Sequence, residues 1–115
     1  MHIDSYGFGR IRIDGVDYSK DLILLRDVVL SPWWRAAGGH VYAAEDLGEL
    51  LAAAPEVVVL GTGFFGRVKV SRETISAFAD AGSELVVETT ANAVAEYNRV
   101  AADGRDVAAA LHLTC

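Results

Sequence analysis

The chain has 115 residues, of which 52% are hydrophobic and 23% are charged, and its net charge is -6. This length predicts a single α/β domain over residues 1–115 with one core, and the balanced composition argues against disorder. The acidic charge and the scattered basic residues argue against nucleic acid as a partner, and the lack of a long apolar run argues against a membrane span.

The setting of the chain is predicted from its first residues and its one cysteine. Residues 1–4 resemble neither a secretory signal nor a transit segment, and Cys115 has no second cysteine with which to form a disulfide. We therefore expect a cytoplasmic protein.

The first third of the chain predicts short strands. Residues 5–13 alternate between apolar and small or charged side chains, which is typical of one half-buried strand. Asp14-Gly15 predicts a type I′ turn, followed by a return strand over residues 16–18. Residues 22–25 predict a more buried strand, and the segments around Trp33 and Gly38 predict loops.

The remainder alternates between helices and strands. Helices are predicted over residues 44–54, from an N-cap at Ser71 to a glycine stop at Gly82, and over residues 91–102. Strands are predicted over residues 56–60, 84–88 and 107–113. Strands joined through helices run parallel. The expected fold is therefore a three-layer α/β sandwich, with a mixed central sheet that contains parallel strands and an N-terminal β-hairpin.

The residues from Gly61 to Gly66 match the pattern G-x-G-x-x-G at the end of a buried strand. A dinucleotide-binding motif requires the third glycine to lie at the start of a helix, whereas here an extended segment separates Gly66 from the helix at Ser71. The interpretation we favour is a tight turn that needs glycine. A second possibility is an anion site, because Gly61-Thr62-Gly63 and Thr89-Thr90 follow parallel strands that end at one sheet edge.

Other reactive side chains are isolated in the sequence. His40 and His112 have the chemistry of general bases or metal ligands, yet no spacing resembles a metal site, and structural roles are favoured for both. Cys115 lacks a recognisable activating environment in the sequence. Trp33-Trp34-Arg35 is an aromatic and basic group of the kind that protein interfaces use, and we expect one tryptophan to be buried and the other half-exposed.

Several segments, taken in order, resemble a known family of domains of unknown function. They are Tyr6-Gly7-Phe8-Gly9, Asp14-Gly15, Asp21-Leu22, Trp34-Arg35, Gly39-His40, the strand and glycine turn of residues 56–63, Thr90-Ala91-Asn92-Ala93, Tyr97-Asn98 and residues 107–115. The family includes mitochondrial complex I assembly factor 3 and the adipogenesis-associated domain-containing proteins. The resemblance implies a three-layer α/β fold and a pocket near Gly61-Thr62-Gly63 and the helix start at Thr90 and Asn92.

These observations favour a protein-interaction or assembly-factor-like protein, with an unknown protein partner, no cofactor, no metal and no catalytic residue. The alternative is a small-molecule or anion-binding protein, with or without enzymatic activity, whose site lies at the carboxyl edge of the sheet. The residues of that site would be Gly61, Thr62, Gly63, Thr90, Asn92, Arg35 and His40.

Overall fold

A computed structural model describes all 115 residues as ten strands and three α-helices. The helices are α1 (Gly48–Ala53), α2 (Arg72–Ala81) and α3 (Thr90–Ala102), and a 3₁₀ turn (Ala44–Leu47) leads into α1. The strands are β1 (Ile3–Gly7), β2 (Arg10–Ile13), β3 (Val16–Tyr18), β4 (Leu22–Leu25), β5 (Val28–Leu30), β6 (Val41–Tyr42), β7 (Val57–Gly61), β8 (Lys69–Val70), β9 (Glu84–Glu88) and β10 (Val107–Leu111).

The central sheet has five strands in the order β5-β4-β10-β7-β9. The strands β10, β7 and β9 are parallel, whereas β4 and β5 pair antiparallel. Every residue of β7 and β10 is buried, which explains their continuous apolar runs. The predicted mixed sheet with parallel strands is confirmed.

Layers of structure cover both faces of this sheet. Helices α1 and α2 pack on one face, where Leu50, Phe78 and Tyr42 are fully buried. The other face packs against α3 and a three-stranded antiparallel sheet, β1-β2-β3. The three-layer arrangement predicted from the sequence is therefore confirmed.

Turns and caps follow the predicted chemistry in most places. Asp14 and Gly15 both have positive φ, 46° and 80°, as a type I′ hairpin requires. The hydroxyl of Ser71 accepts a hydrogen bond from the Thr74 N–H and caps α2, and Gly82 ends this helix with φ of 83°.

The prediction of one strand over residues 5–13 was wrong. The chain reverses at Phe8-Gly9, where Gly9 has φ of 74°, so this segment contributes parts of two paired strands. No sequence signal marks β5, because the preceding turn uses Arg26 and Asp27 at positive φ instead of glycine. The last strand ends at Leu111 instead of at the predicted residue 113, so His112 lies in the segment that follows the strand.

Candidate functional site at the carboxyl edge

The ends of three parallel strands meet at one edge of the sheet. Gly61 of β7 pairs with Leu111 of β10 and with Glu88 of β9, so the residues that follow all three lie together. The Thr90 hydroxyl joins them: it donates to the His112 carbonyl at 2.6 Å and accepts from the Gly63 N–H at 2.9 Å. Strand β4 starts at the same edge, since it runs antiparallel to β10, and this brings Asp21 into the site.

Asp21 is the centre of a polar cluster that contains Arg35 and His112. Its Oδ2 lies 2.6 Å from Nδ1 of His112 and accepts a hydrogen bond from Nη1 of Arg35 at 2.9 Å. Its Oδ1 accepts from the Leu113 N–H at 2.9 Å. Because an ionised carboxylate can only accept, Nδ1 of His112 carries a proton, and in the neutral ring Nε2 has the free lone pair.

The Arg35 side chain is only 5% exposed, although it lies on an irregular segment between β5 and β6. Its guanidinium carbon lies 5.1 Å from the ring centre of Trp33 and 5.3 Å from that of Tyr42. Nη2 donates to the Gly39 carbonyl at 2.6 Å. Aromatic stacking together with two acceptors explains how this cation is kept inside the protein.

Two nitrogens of the cluster have no hydrogen-bond partner. They are Nε of Arg35 and Nε2 of His112, and both are inaccessible to solvent. Buried polar atoms are rarely left unpaired, since the loss of water is then not offset. The two side chains contact each other, because Nη2 of Arg35 lies 3.3 Å from Nδ1 of His112.

The pKa values near the site reflect burial and hydrogen bonding. Burial alone would raise the pKa of Asp21, but hydrogen bonds from His112, Leu113 and Arg35 stabilise the anion and hold the pKa below its ordinary value. Burial raises the pKa values of Tyr6 and Tyr42. Both phenols therefore stay neutral at physiological pH, and they donate to the carbonyls of Leu113 and Gly61.

The structure brings most of the predicted site residues to this edge. Gly61, Thr62, Gly63 and Thr90 are adjacent, but the Thr62 hydroxyl donates to the Glu88 carbonyl, and the Gly63 amide is bonded to Thr90. Gly63 has φ of 105°, and a Cβ there would lie 2.8 Å from the Thr114 carbonyl oxygen.

Of the three other predicted residues, one belongs to the buried cluster, one lies beside it and one is exposed on α3. Arg35 belongs to the cluster, and the exposed His40 has its ring centre 6.2 Å from that of His112. Asn92 is exposed on α3. The sequence did not reveal the link between Asp21 and His112, since 91 positions separate them, although His112 does follow a buried strand.

An exposed aromatic patch lies beside this edge and is made by Phe8, Phe64 and Phe65. Their ring centres are 5.1 to 6.4 Å apart, and the side chains are 52%, 46% and 60% exposed. The Phe64 amide donates to the Thr114 carbonyl, and the Gly9 amide donates to the Leu113 carbonyl. Of the two tryptophans, Trp33 is buried as predicted, whereas Trp34 is 75% exposed, more than expected.

The surface depressions of the molecule lie away from the buried cluster. The larger one, of about 310 Å³, is on the three-stranded sheet β1-β2-β3 and is lined by residues such as Arg10, Asp17 and Tyr18. The second lies near Arg26 and Tyr97. The cluster around Asp21 is therefore closed in this structure. None of the helices is long and apolar enough to cross a membrane.

Fold and site together define a small α/β protein with a mixed sheet and a polar cluster at its carboxyl edge. The chain belongs to the family described as a protein of unknown function (DUF498/DUF598), whose family model matches residues 3–112. None of the curated proteins matches it.

Solved structures share this fold over nearly the whole chain. One named MT938 is 29% identical, with a TM-score of 0.83, over 99% of this chain and 98% of that chain. A Bordetella pertussis protein described as a Mth938-like domain is 26% identical, with a TM-score of 0.73, over 97% of this chain and 85% of that chain. A conserved hypothetical protein from Pyrococcus horikoshii OT3 is 22% identical, with a TM-score of 0.86 over 100% of both chains, and shows the fold alone.

Proposed function

We propose that this chain is a protein-interaction module of the assembly-factor kind, which binds a partner protein through the aromatic patch of Phe8, Phe64 and Phe65. The observation that supports this function most directly is the exposure of three mutually packed phenylalanines. Taking about 200 Å² for one free aromatic side chain, the patch presents on the order of 300 Å² of apolar surface. Contiguous surface of this size on a soluble protein is often an interaction site.

The patch is held in a fixed shape before any partner binds. Backbone hydrogen bonds attach its two loops to the end of the chain, at Leu113 and Thr114. Gly66 closes the second loop, where its N–H donates to the Gly63 carbonyl and φ is 69°. A surface that is already ordered loses less conformational entropy on binding, which favours affinity.

The chemistry beside the patch indicates the kind of partner. The Arg67 guanidinium lies 5.5 Å from the Phe65 ring centre, and Arg10 follows the Phe8-Gly9 turn. Both side chains are cationic, in a chain with a net charge of -6. We therefore expect the partner to offer apolar side chains with acidic residues at their rim. The resemblance to a family that contains a mitochondrial assembly factor is in line with this proposal.

The experiment is affinity capture from native lysate with matched surface variants. The double variant Phe64→Ala with Phe65→Ala removes most of the patch, whereas Ile75→Ala removes an equally exposed apolar side chain from α2. We expect a partner protein that is captured by the wild type and by Ile75→Ala but not by the double variant. Identical captures by all three would contradict the proposal. A doubled mass in sedimentation that only the double variant abolishes would instead identify a second copy of this chain as the occupant.

Binding of a small molecule or anion at the carboxyl edge is the alternative function, and the structure separates its residues into two groups. The amides of Thr62, Gly63 and Phe64 donate within the chain, which leaves the glycine turn few donors for an anion. Arg35 and His40, in contrast, flank His112, whose ring has an unpaired nitrogen. This second group is the one that favours a ligand.

A further inference from the structure

The geometry points to a carboxylate-binding site in the Asp21–Arg35–His112 cluster, at which His112 takes up one proton as the ligand binds. This inference is independent of the aromatic patch and of any protein partner. It depends on three observations: the two unpaired nitrogens, the orientation of the arginine edge that bears one of them, and the charge balance of the cluster.

One edge of the Arg35 guanidinium is only half paired. In arginine, Nε–H and one N–H of Nη2 point the same way and match the two oxygens of a carboxylate. In this structure Nη2 donates to the Gly39 carbonyl, while Nε on the same edge has no acceptor. The backbone thus fills half of a fork that a carboxylate would fill completely.

His112 has one ring nitrogen with a hydrogen-bond partner and one without. Its Nδ1–H is committed to Asp21, and its Nε2 is buried without a partner. A neutral ring offers only a lone pair at Nε2, which repels an anion, whereas a protonated ring offers an N–H. Binding of a carboxylate near this nitrogen therefore favours the protonated ring.

The charges of the closed site balance one another. Without a ligand, the anionic Asp21 and the cationic Arg35 cancel, and a neutral His112 adds nothing. A carboxylate that entered alone would leave one uncompensated negative charge in a buried position, which is strongly unfavourable. Entry together with a proton on His112 restores neutrality, and both unpaired nitrogens then become donors to the ligand.

Access to the cluster requires movement of the segment over it. Gly39 covers the Arg35 edge through its carbonyl, and the neighbouring Gly38 and His40 are exposed. A Cβ added at either glycine would meet no atom within 4 Å, so open space surrounds this segment. We infer that the ligand replaces the Gly39 carbonyl on Nη2.

Other ionisable groups around the His112 ring must be separated from its own titration. Tyr6 and Tyr42 have raised pKa values and stay neutral from pH 5.5 to 7.5, and Asp21, with a lowered pKa, stays ionised. The remaining titratable neighbours are His40, whose ring centre lies 6.2 Å away, and the chain end at Cys115, whose carbonyl oxygen lies close to Gly63 beside the His112 ring. Measurement on the His112 ring itself avoids confusion with either.

The test is a titration of isotope-labelled protein with sodium acetate, at constant ionic strength and at pH 5.5, 6.5 and 7.5. We expect saturable shifts of the Arg35 Nε and His112 ring signals. As pH rises, the dissociation constant should increase by up to about tenfold per pH unit, which is the limit for uptake of one proton. Linear, unsaturable shifts, or an affinity that does not change with pH, would overturn the inference.

Two variants sharpen the result. Arg35→Lys keeps the charge but removes the fork, and we expect acetate affinity to fall at least about tenfold. Arg72→Lys changes an exposed arginine on α2 and should leave acetate affinity unchanged. His112→Gln replaces the titratable ring with an amide that does not titrate, so any acetate binding should lose its pH dependence. Unchanged affinity in folded Arg35→Lys would refute the site, and if that variant does not fold, the wild-type titration decides.

Discussion

The buried cluster of Asp21, Arg35 and His112 and the exposed patch of Phe8, Phe64 and Phe65 both adjoin Gly63, which precedes Phe64 and approaches the His112 ring. In the cluster, polar groups are inside the protein and are bonded to one another over long sequence distances. In the patch, large apolar groups face solvent and contact mainly each other. Each region places side chains against the usual preference of its environment. The cluster should therefore govern stability, whereas the patch should govern association.

The largest effect is expected from breaking the charge balance of the cluster. Asp21→Asn leaves the Arg35 guanidinium buried without a counter-charge, and removal of one partner from a buried pair costs about 4 kcal/mol of unfolding free energy. Urea denaturation measures this loss. Asp17→Asn is the matched control, because Asp17 pairs with Arg12 at the surface and should change stability by no more than about 0.5 kcal/mol. Equal effects of the two substitutions would remove the distinction between the cluster and an ordinary surface pair.

A smaller loss is expected at Gly63, the glycine that adjoins both regions. Gly63→Ala must adopt φ of 105° and place a Cβ 2.8 Å from the Thr114 carbonyl oxygen, and we expect a loss of about 3 kcal/mol. Gly82→Ala has a similar φ of 83° but open space around the added carbon, so it isolates the backbone contribution, about 1 kcal/mol. Denaturant midpoints of the two variants compare the two contributions. If both lose the same amount, contact with the chain end does not constrain Gly63.

The cluster should also make stability depend on pH in one direction. The pKa of Asp21 is lowered in the folded state, so its contribution is complete above the unfolded value of about 3.9 and is lost as pH falls through the folded value. We therefore expect the stability difference between wild type and Asp21→Asn to be constant near neutral pH and to shrink below pH 4. Urea midpoints from pH 6 to pH 3 measure this difference. A difference that grows on acidification would mean that Asp21 is not stabilised as an anion.

The sequence predicted the sheet edge better than the chemistry at that edge. Thr62 and Thr90 each follow a parallel strand, and such strands end together, so their proximity could be expected from local patterns. The pairing of Asp21 with His112 depends on β4 running antiparallel beside β10, and no local pattern specifies that neighbour. Arg35 was predicted as a site residue, but its contacts with Asp21 and His112 were not, because it lies on an irregular segment whose path no local pattern specifies.

Errors in the fold prediction have a similar origin. The Asp14-Gly15 hairpin was predicted because its residue types specify a positive φ, whereas the turn at Arg26-Asp27 adopts positive φ with residues that give no such signal. At Phe8-Gly9 the alternating pattern continues through the turn, so it resembles one strand. The exposure of Phe64 and Phe65 was also hidden, because an apolar pair beside a glycine turn is equally typical of a core.

The smallest effect on stability is expected at the patch. Phe64→Ala and Phe65→Ala remove rings that are already 46% and 60% exposed, so each should lower the unfolding free energy by only about 1 kcal/mol. Phe78→Ala is the matched control, because this ring is fully buried against the sheet and its loss costs about 4 kcal/mol. Thermal and urea unfolding distinguish the two outcomes. A loss of 2 kcal/mol or more (about half of the buried value) at Phe64 or Phe65 would mean that the patch is part of the folded core. Stability near the wild-type value would instead leave association as the property that these rings serve.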